Sequence, residues 1–176
     1  MIMEFNGITP EIDPSVFIAE GVFISGDVKI GKCSSVWFNS VIRGDVNYIR
    51  VGENTNIQDL SMLHISGGRS PLIIGSCITI GHRCIVHGCK INDNVLIGMG
   101  SVILDDAVIG SNSIIAAGSV VKERSVIPEN VLVAGVPAKV MREISDEEIK
   151  KIRKSAEGYM ENAKLYLSLF SAKFKK

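Results

Sequence analysis

Aliphatic residues recur every six positions along most of the chain. A period of six fits neither an α-helix, which repeats every 3.6 residues, nor a half-buried strand, which repeats every two. It is typical of a hexapeptide β-solenoid, in which each hexad forms a short strand and a corner, and three hexads close one triangular coil. Twenty such anchor residues predict an all-β solenoid, a parallel β-helix of about seven coils: Ile12, Ile18, Ile24, Ile30, Val36, Ile42, Val51, Ile57, Leu63, Ile74, Ile80, Val86, Ile91, Ile97, Ile103, Ile109, Ile115, Val121, Ile127 and Val133.

A second column of residues lies four positions after the anchors. Its members are small or β-branched, apart from the larger Ile78, and include Ser34, Ser40, Thr55 and Ser61. Small residues fit the tight corners of the prism, while the aliphatic anchors stack inside it. Since each coil pairs with the next, unpaired strand edges remain only at the two ends.

The hexad register is interrupted in three places. Three residues are inserted between Ile42 and Val51, and five between Leu63 and Ile74, where residues 66–71 read Ser-Gly-Gly-Arg-Ser-Pro. One residue is missing between Val86 and the next anchor. All three interruptions flank the histidines of the chain. Irregularities in a regular scaffold are where functional groups are expected.

A C-terminal helix follows the last anchor. Ser145 begins an S-x-x-E capping box with Glu148. Apolar residues then recur at helical spacing and predict an amphipathic helix packed along the solenoid. We therefore divide the chain into a β-helix domain at 1–140 and a helical segment at 141–176, whose apolar stripe comprises Ile149, Ile152, Ala156, Tyr159, Ala163, Tyr166 and Phe170.

Composition and charge exclude several functional classes. The 19 Lys and Arg residues balance 19 Asp and Glu residues, so the chain lacks the basic excess of a sequence-independent nucleic-acid binder. Ile and Val total 43 against 9 Leu, a balance that favours strands. Neither a targeting segment nor an apolar run of roughly 20 residues is present. We expect a cytoplasmic protein with reduced cysteines and no membrane or nucleic-acid partner.

The three histidines of the chain lie within 24 residues, and hexad counting places them on the prism. His64 and His87 each follow an anchor, and those anchors are three hexads apart, so the two rings stack in adjacent coils about 4.8 Å apart. That spacing suits two imidazoles on one metal ion, each at roughly 2.0–2.1 Å. His82 lies one corner away from His87 and reaches such a site from a neighbouring subunit of a cyclic homotrimer.

Two cysteines alternate with the last two histidines and open a further ligand option. Cys84 and Cys89 could replace a histidine in a metal site. Cys84 also occupies the small corner column, where packing explains it, whereas no such reason applies to Cys89. Three histidines with an open fourth position are typical of a catalytic zinc site rather than a closed structural one.

The residues around the histidines resemble the γ-class carbonic anhydrases over essentially the whole chain. Many acyltransferases share the hexapeptide repeat alone, so the specific part is the combination of Arg-Gly-Asp, Asn-x-Gln-Asp and three histidines. The resemblance is carried by His64 and by residues 41–45, 49–52, 55–59, 81–82, 87–89, 97–100 and 134–138.

The resemblance implies a left-handed β-helix and a function. The reaction is the reversible hydration of CO₂ to bicarbonate by a metal-bound hydroxide at trimer interfaces. His64, His82 and His87 would bind Zn²⁺, or Fe²⁺ or Co²⁺ in its place. Gln58 would orient the metal-bound water, and Asn56 would be a nearby polar group of the pocket.

Other roles implied by the resemblance compete with structural explanations. Arg43, Asp45 and Asp59 would form an ion-pair network across the trimer interface and near bicarbonate, or serve purely to specify assembly. Tyr159 would approach the pocket from the helix, or only pack against the solenoid. Gln58 has the alternative of an ordinary hydrogen-bonded amide on the solenoid surface.

Two departures from the family pattern concern proton transfer. The best-characterised pattern has an acid directly after Arg-Gly-Asp and others in a long loop after the first histidine. Here Val46 follows Asp45, and the short loop at 65–71 has no carboxylate. Two alternatives to carbonic anhydrase therefore stand: a thioesterase or other hydrolase using the same activated water, and a catalytically weak trimeric binding or assembly protein.

Overall fold

The chain forms a parallel β-solenoid of about seven coils, followed by a single C-terminal helix. The computed structural model describes the backbone of residues 1–173 and side chains through residue 169. The architecture is that of a left-handed hexapeptide β-helix, so the fold class predicted from the period of six is confirmed. The side chain of Phe170 and residues 174–176, which the sequence assigns to the helical segment, lie outside the described part.

Strands stack coil on coil to form three sides of a prism. The first side carries β1 (Ile2–Met3), β4 (Phe23–Ile30), β6 (Val41–Val51), β8 (Met62–His64), β11 (Ile85–His87), β14 (Val102–Ile103) and β17 (Val120–Val121). β4 and β6 bend around the corner onto the second side, which adds β2 (Glu11–Ile12), β9 (Leu72–Ile74), β12 (Lys90–Ile91), β15 (Val108–Ile109) and β18 (Val126–Ile127). The third side carries β3 (Phe17–Ile18), β5 (Ser35–Val36), β7 (Asn56–Ile57), β10 (Thr79–Ile80), β13 (Leu96–Ile97), β16 (Ile114–Ile115), β19 (Val131–Gly135) and β20 (Ala138–Glu143).

The strand register follows the anchor residues through every interruption of the repeat. Ile42 pairs with Leu63, Leu63 with Val86, and Val86 with Ile103, although these steps span 21, 23 and 17 residues. The insertions therefore bulge outward at the corners and leave the anchor columns intact. All the anchors are buried except those at 12 and 18 in the first coil, which are partly buried.

The corner column explains how polar residues are tolerated inside the prism. The hydroxyl groups of these residues donate hydrogen bonds of 2.8–3.1 Å to backbone carbonyls of the following coil. A buried hydroxyl without such a partner would be destabilising, and each of these has one. The bonds stitch successive coils together at Ser34, Ser40, Thr55, Ser61, Ser101 and Ser113.

Helix α1 (Asp146–Lys173) covers the early coils of the third side. It begins with the predicted capping box, because Ser145 N–H donates to Glu148 Oε2 at 3.0 Å and Glu148 N–H donates to Ser145 Oγ at 3.3 Å. The rings of Tyr159 and Tyr166 pack edge-on against Trp37, with centroids 5.4 and 5.2 Å apart. Among the described residues, no helix combines the length and the apolar character needed to cross a bilayer.

Strand β20 is a feature that the hexad pattern does not predict. It crosses the boundary placed at residue 140 and pairs antiparallel with β19, in an otherwise parallel solenoid. The hairpin covers the edge of the last coil on the third side, which would otherwise expose unpaired backbone groups. The solenoid strands therefore continue to Glu143, three residues beyond the predicted domain boundary.

Candidate metal site

His64 and His87 form a pair at the end of the first side. They close strands β8 and β11, and the register pairs them directly, as the hexad spacing predicts. His64 Nδ1 lies 3.0 Å from His87 Nε2, and the ring centroids are 5.1 Å apart. Two nitrogens on a tetrahedral ion at about 2.0–2.1 Å are roughly 3.3 Å apart, so this spacing fits a shared metal.

Each ring of the pair has a carboxylate behind its other nitrogen. Asp45 Oδ1 lies 3.1 Å from His64 Nε2 and also pairs with Arg43. Asp105 Oδ1 pairs with His87 Nδ1. A carboxylate behind a ligating histidine fixes the ring orientation and increases its basicity as a ligand. The pair therefore has both the spacing and the supporting groups of metal ligands.

The ionisation of these groups favours a neutral His64 ring beside charged carboxylates. Burial lowers the pKa of His64, and the Arg43 charge adds to this effect, outweighing the opposing influence of Asp45. Burial alone would raise the pKa of Asp45, but hydrogen bonds from His64 and Arg43 bring it below its ordinary value. Asp105 has a lowered pKa because bonds from Ser66 and His87 likewise outweigh burial. A neutral imidazole is the form that binds a metal.

His82 lies at a different corner, between the third and first sides. It follows β10, and its Nδ1 is 2.7 Å from Asp59 Oδ2. Its side chain is 41% exposed, against 19% for His64 and 28% for His87. The chain turns at residues 82–83 and then runs along β11 to His87, so five residues at about 3.3 Å each set an upper limit of roughly 16 Å between the two histidines.

One chain therefore holds only part of the predicted ligand set. Within residues 1–173, no three His, Cys, Asp or Glu side chains converge so that one ion could be held. The predicted cysteine ligands do not change this. Cys84 and Cys89 are buried in the hydrophobic core, burial raises the pKa of both thiols, and Cys84 Sγ lies 3.2 Å from the Gly98 carbonyl. Packing accounts for both.

The predicted amides lie on the third side, behind the His82 corner. Gln58 Nε2 donates to Asn56 Oδ1 at 3.1 Å, and Asn56 Nδ2 donates to Thr79 Oγ1 at 3.0 Å. The Thr79 Oγ1 atom in turn lies 3.2 Å from Ser155 Oγ of α1. Asn56 and Gln58 are both buried, so they form a connected polar cluster beneath the helix rather than beside the histidine pair.

Tyr159 and Asp59 also belong to the His82 part of the molecule. Burial raises the pKa of Tyr159, and the charge of nearby Asp59 raises it further. The ring of Tyr159 packs against the solenoid, which was the structural alternative for this residue. Within one chain the predicted residues thus divide into a pair group and a corner group. The pair group is Arg43, Asp45, His64 and His87, and the corner group is Asn56, Gln58, Asp59, His82 and Tyr159.

Asp105 contacts the pair and Ser66 contacts Asp105, although the sequence pattern assigned a role to neither. Ser66 Oγ donates to Asp105 Oδ2 at 2.5 Å, while the other carboxylate oxygen pairs with His87. A signal for Asp105 existed in the repeat. Val86 pairs with Ile103, so the position one coil after His87 is Leu104, and Asp105 comes next. Counting one coil forward as well as back would have found it.

Comparison with known proteins finds relatives named as carbonic anhydrases and others named as hexapeptide transferases or acetyltransferases. Residues 88–123 match the family model described as bacterial transferase hexapeptide (six repeats). A carbonic anhydrase of Geobacillus kaustophilus is 52% identical over 96% of this chain and 92% of its own. A probable carbonic anhydrase of Methanocaldococcus jannaschii is 54% identical over 85% of this chain and 93% of its own. The crystal structure of a proposed acetyltransferase from Bacillus cereus has a TM-score of 0.93 and 45% identity, covering 96% of this chain and 97% of its own.

Proposed function

Because the chain belongs to the γ-class carbonic anhydrase family of hexapeptide-repeat proteins, we propose that it is a metal-dependent enzyme that interconverts CO₂ and bicarbonate. The proposal further places each site between two subunits of a homotrimer. The observation that carries it is the histidine pair, whose facing nitrogens are 3.0 Å apart and whose other nitrogens each meet a carboxylate. A surface pair of histidines needs neither feature.

The separation of His82 from the pair supports a site shared by two chains. The two lie at opposite ends of one side of the prism, so a single ion cannot join them within a chain. In a closed ring, the same two different surfaces meet at every boundary. Each boundary then brings the pair of one subunit to His82 of the next, and a trimer has three equivalent sites.

The surface between the two ends is suited to burial against a second copy. The outward-facing side chains of the first side are apolar and partly exposed, at Val41, Met62, Ile85, Val102 and Val120. At the His82 corner, Leu60 and Met99 are 59% and 58% exposed. Leu60 also has a φ of 61°, which is unusual for a bulky residue. Contiguous exposed apolar surface of this kind marks protein–protein contacts.

The residues of the two groups have separate tasks in the proposed reaction. His64 and His87 of one chain and His82 of its neighbour would hold Zn²⁺, or Fe²⁺ or Co²⁺ in its place. An ion held there would supply Lewis acidity, which would lower the pKa of water at the site to about 7 and so favour its use as a nucleophile at neutral pH. Gln58 donates one amide N–H to Asn56, a bond that holds the amide in place, and its carbonyl oxygen would orient the reacting water.

Charged groups beside the pair would act on bicarbonate and on protons. Arg43 has the planar donor fork that binds carboxylate-like anions, and its partner Asp45 restrains it. The 65–71 loop contains no carboxylate that could accept a proton. Asp45 and Asp105 have lowered pKa values, so both are weak bases. We therefore expect proton release to depend on external buffer, with slow turnover when the buffer is dilute.

The test is CO₂ hydration by stopped flow on protein purified anaerobically and loaded separately with Zn²⁺, Fe²⁺ or Co²⁺. The proposal expects activity that requires metal, rises with buffer concentration and is absent in His64→Ala. Hydrolysis of a panel of acyl-CoA thioesters, without CO₂ hydration, would instead identify a hydrolase. Metal binding with neither activity would indicate a trimeric binding or assembly protein, and either result would refute the proposed reaction.

A further inference from the structure

Two adjacent aspartates contact the short loop after His64, and only one of them touches a histidine. Ser66 Oγ donates to Asp105 Oδ2 at 2.5 Å, and Ser70 Oγ donates to Asp106 Oδ1 at 2.7 Å. Both bonds join the loop to the following coils. Asp105 differs because its second oxygen pairs with His87 Nδ1. Its two oxygens therefore link the loop to one ring of the histidine pair.

We propose that Asp105 is a positioning residue that sets the tautomer and the ring plane of His87, with Ser66 fixing the carboxylate. The inference rests on the proposed function, because it assigns His87 as a metal ligand. A histidine whose Nδ1–H donates to a carboxylate must leave Nε2 unprotonated in its neutral form. Nε2 is the His87 nitrogen that faces His64 at 3.0 Å. The carboxylate thus exposes the lone pair on the side where the second ring lies.

The residue after His87 is shaped to admit this carboxylate. Gly88 has a φ of +47°, in the region that favours glycine. A Cβ built on Gly88 would overlap Asp105 Oδ1 and lie 2.9 Å from Ser70 Cβ. Any larger residue at position 88 would displace either the carboxylate or the loop. The absence of a side chain there therefore serves the contact between Asp105 and the ring.

The two ends of the pair also differ in how their carboxylates are held. Asp45 is fixed by the guanidinium of Arg43, a permanent charge on the same strand. Asp105 is fixed by the Ser66 hydroxyl, which belongs to the inserted loop at 65–71. The carboxylate behind His87 is therefore coupled to the conformation of that loop, whereas the carboxylate behind His64 is paired with a residue of its own strand. The loop, which lacks the acids of the family pattern, would retain a role through this contact.

The chain offers a matched set of variants to test this role. Asp105→Ala removes the acceptor, and Asp105→Asn keeps its volume but can donate to His87 instead of accepting. Ser66→Ala leaves the carboxylate in place without its support. Asp106→Asn is the control, because it disturbs the loop contact with Ser70 but touches no histidine. All variants are compared as assembled protein freed of metal, with circular dichroism and native mass as checks on folding.

The measurements are the Kd for Co²⁺, the visible absorption of the Co²⁺ complex, and the ring ¹⁵N shifts of His87 in metal-free protein. Loss of the Asp105 contact should weaken Co²⁺ binding about 10–100-fold, as is typical for a carboxylate behind a ligating histidine. We expect an altered absorption spectrum and increased protonation of His87 Nε2. Ser66→Ala should have a smaller effect, and Asp106→Asn should stay within about twofold of the unmodified protein.

Equal Co²⁺ affinity, absorption and ring shifts in Asp105→Ala and Asp106→Asn would overturn the positioning role. The outcome is separable from the proposed reaction. If the unmodified protein binds Co²⁺ but does not hydrate CO₂, the reaction fails while the affinities still decide the role of Asp105. If it binds no metal, the ring shifts decide: Nδ1 protonation of His87 that is lost in Asp105→Ala supports the role, and unchanged shifts refute it.

Discussion

The histidine pair and the His82 corner both present imidazole rings, but they differ in the number of rings, in their exposure and in what surrounds them. At the pair, two rings face each other, both are largely buried, and each has its own carboxylate. At the corner, a single more exposed ring has one carboxylate and is flanked by exposed Leu60 and Met99. Under the proposed function, the fold of one chain organises the pair, and the surface of a second chain would complete the site at the corner.

The two regions also differ in how the repeat produces them. The pair arises where the coil lengthens and then shortens, so a loop can reach Asp105, the carboxylate that contacts His87. The His82 corner keeps the regular geometry of its neighbours, since Arg83 N–H bonds to the Asp59 carbonyl and Gly100 N–H bonds to the His82 carbonyl one coil further on. The pair therefore lies where the length of the coil changes, and the more exposed His82 lies where the backbone bonds continue regularly from coil to coil.

The largest expected effect comes from removing a ring of the pair. His87→Ala should weaken Co²⁺ binding by more than about 100-fold, beyond the roughly 10–100-fold cost of losing an outer partner. The fold should survive, because the anchor Val86 remains. Titration with Co²⁺ followed by absorption measures the change. Retention of full affinity would show that the pair is not the metal-binding half.

A charge placed on the first side should dissociate the subunits, which would part the pair of one chain from the His82 corner of the next while leaving each chain folded. Ile85→Lys places an ammonium group beside the pair on the exposed apolar surface. Burying it unpaired between subunits costs about 3 kcal/mol or more, over 100-fold in assembly. Native mass spectrometry should then show one chain instead of three, with metal affinity lost. Leu165→Lys on the exposed face of α1 is the control and should stay assembled; a trimeric Ile85→Lys would contradict the interface.

Removing the carboxylate of the corner should have a moderate effect that depends on assembly. Asp59→Asn takes away the charged acceptor of His82 Nδ1. We expect about tenfold weaker Co²⁺ binding in the trimer, at the lower end of the range for outer partners. Asp93→Asn is a matched control, because Asp93 accepts a bond from the Ser76 N–H and contacts no histidine. Equal Co²⁺ affinities for the two variants would contradict the assignment of His82, held by Asp59, to the metal site.

The smallest effect should come from the helix that covers the corner group. Hydrogen bonds from Arg142 and from the Ser145 N–H lower the pKa of Glu148 from 4.5 to about 2. A depressed carboxyl pKa stabilises the folded state above pH 4.5, and that contribution is lost as the pH falls towards 2. Glu148→Gln should therefore melt slightly lower than the unmodified protein at pH 6, and the difference should vanish near pH 2.

The same variant tests whether α1 matters for the metal site. Ser155 of the helix is within hydrogen-bond distance of Thr79, the partner of Asn56, and Tyr159 lies near Asp59. The helix packs mainly against strands of the third side, whereas the pair ends two strands of the first. We expect unchanged Co²⁺ affinity at neutral pH, measured by the titration used for the other variants. A loss comparable with that of Asp59→Asn would mean that the helix cap controls the site, and the division into two regions would be wrong.

The sequence predicts the fold well because the anchors encode it directly. Aliphatic residues six apart specify both the strands and their stacking, so even the pairing of His64 with His87 follows from counting. Strand β20 escaped prediction because it belongs to no hexad and pairs antiparallel. The capping box located the start of α1 because side chains of fixed spacing satisfy its first N–H groups.

The candidate site is predicted less completely, because counting fixes positions and not side-chain directions. The repeat predicts the side of the prism on which Asn56 and Gln58 lie, but it does not predict that both are buried beneath α1. Counting places Asp105 one residue beyond the position that lies one coil after His87, but it does not show that the carboxylate turns back towards the ring. The supply of His82 by a second chain, the trimer, the metal and the cytoplasmic location stay predictions.

The central claim, that each site joins the pair of one chain to His82 of the next, is tested most directly by subunit mixing. His64→Ala and His82→Ala should each bind no Co²⁺ tightly, because every site lacks a ligand. In a mixed trimer, exactly one boundary places an intact pair against an intact His82. Co-refolded mixtures, separated by differently tagged chains, should therefore bind one tight Co²⁺ per trimer. No recovery in verified mixed trimers, or tight binding by a single monomeric chain, would contradict the shared site.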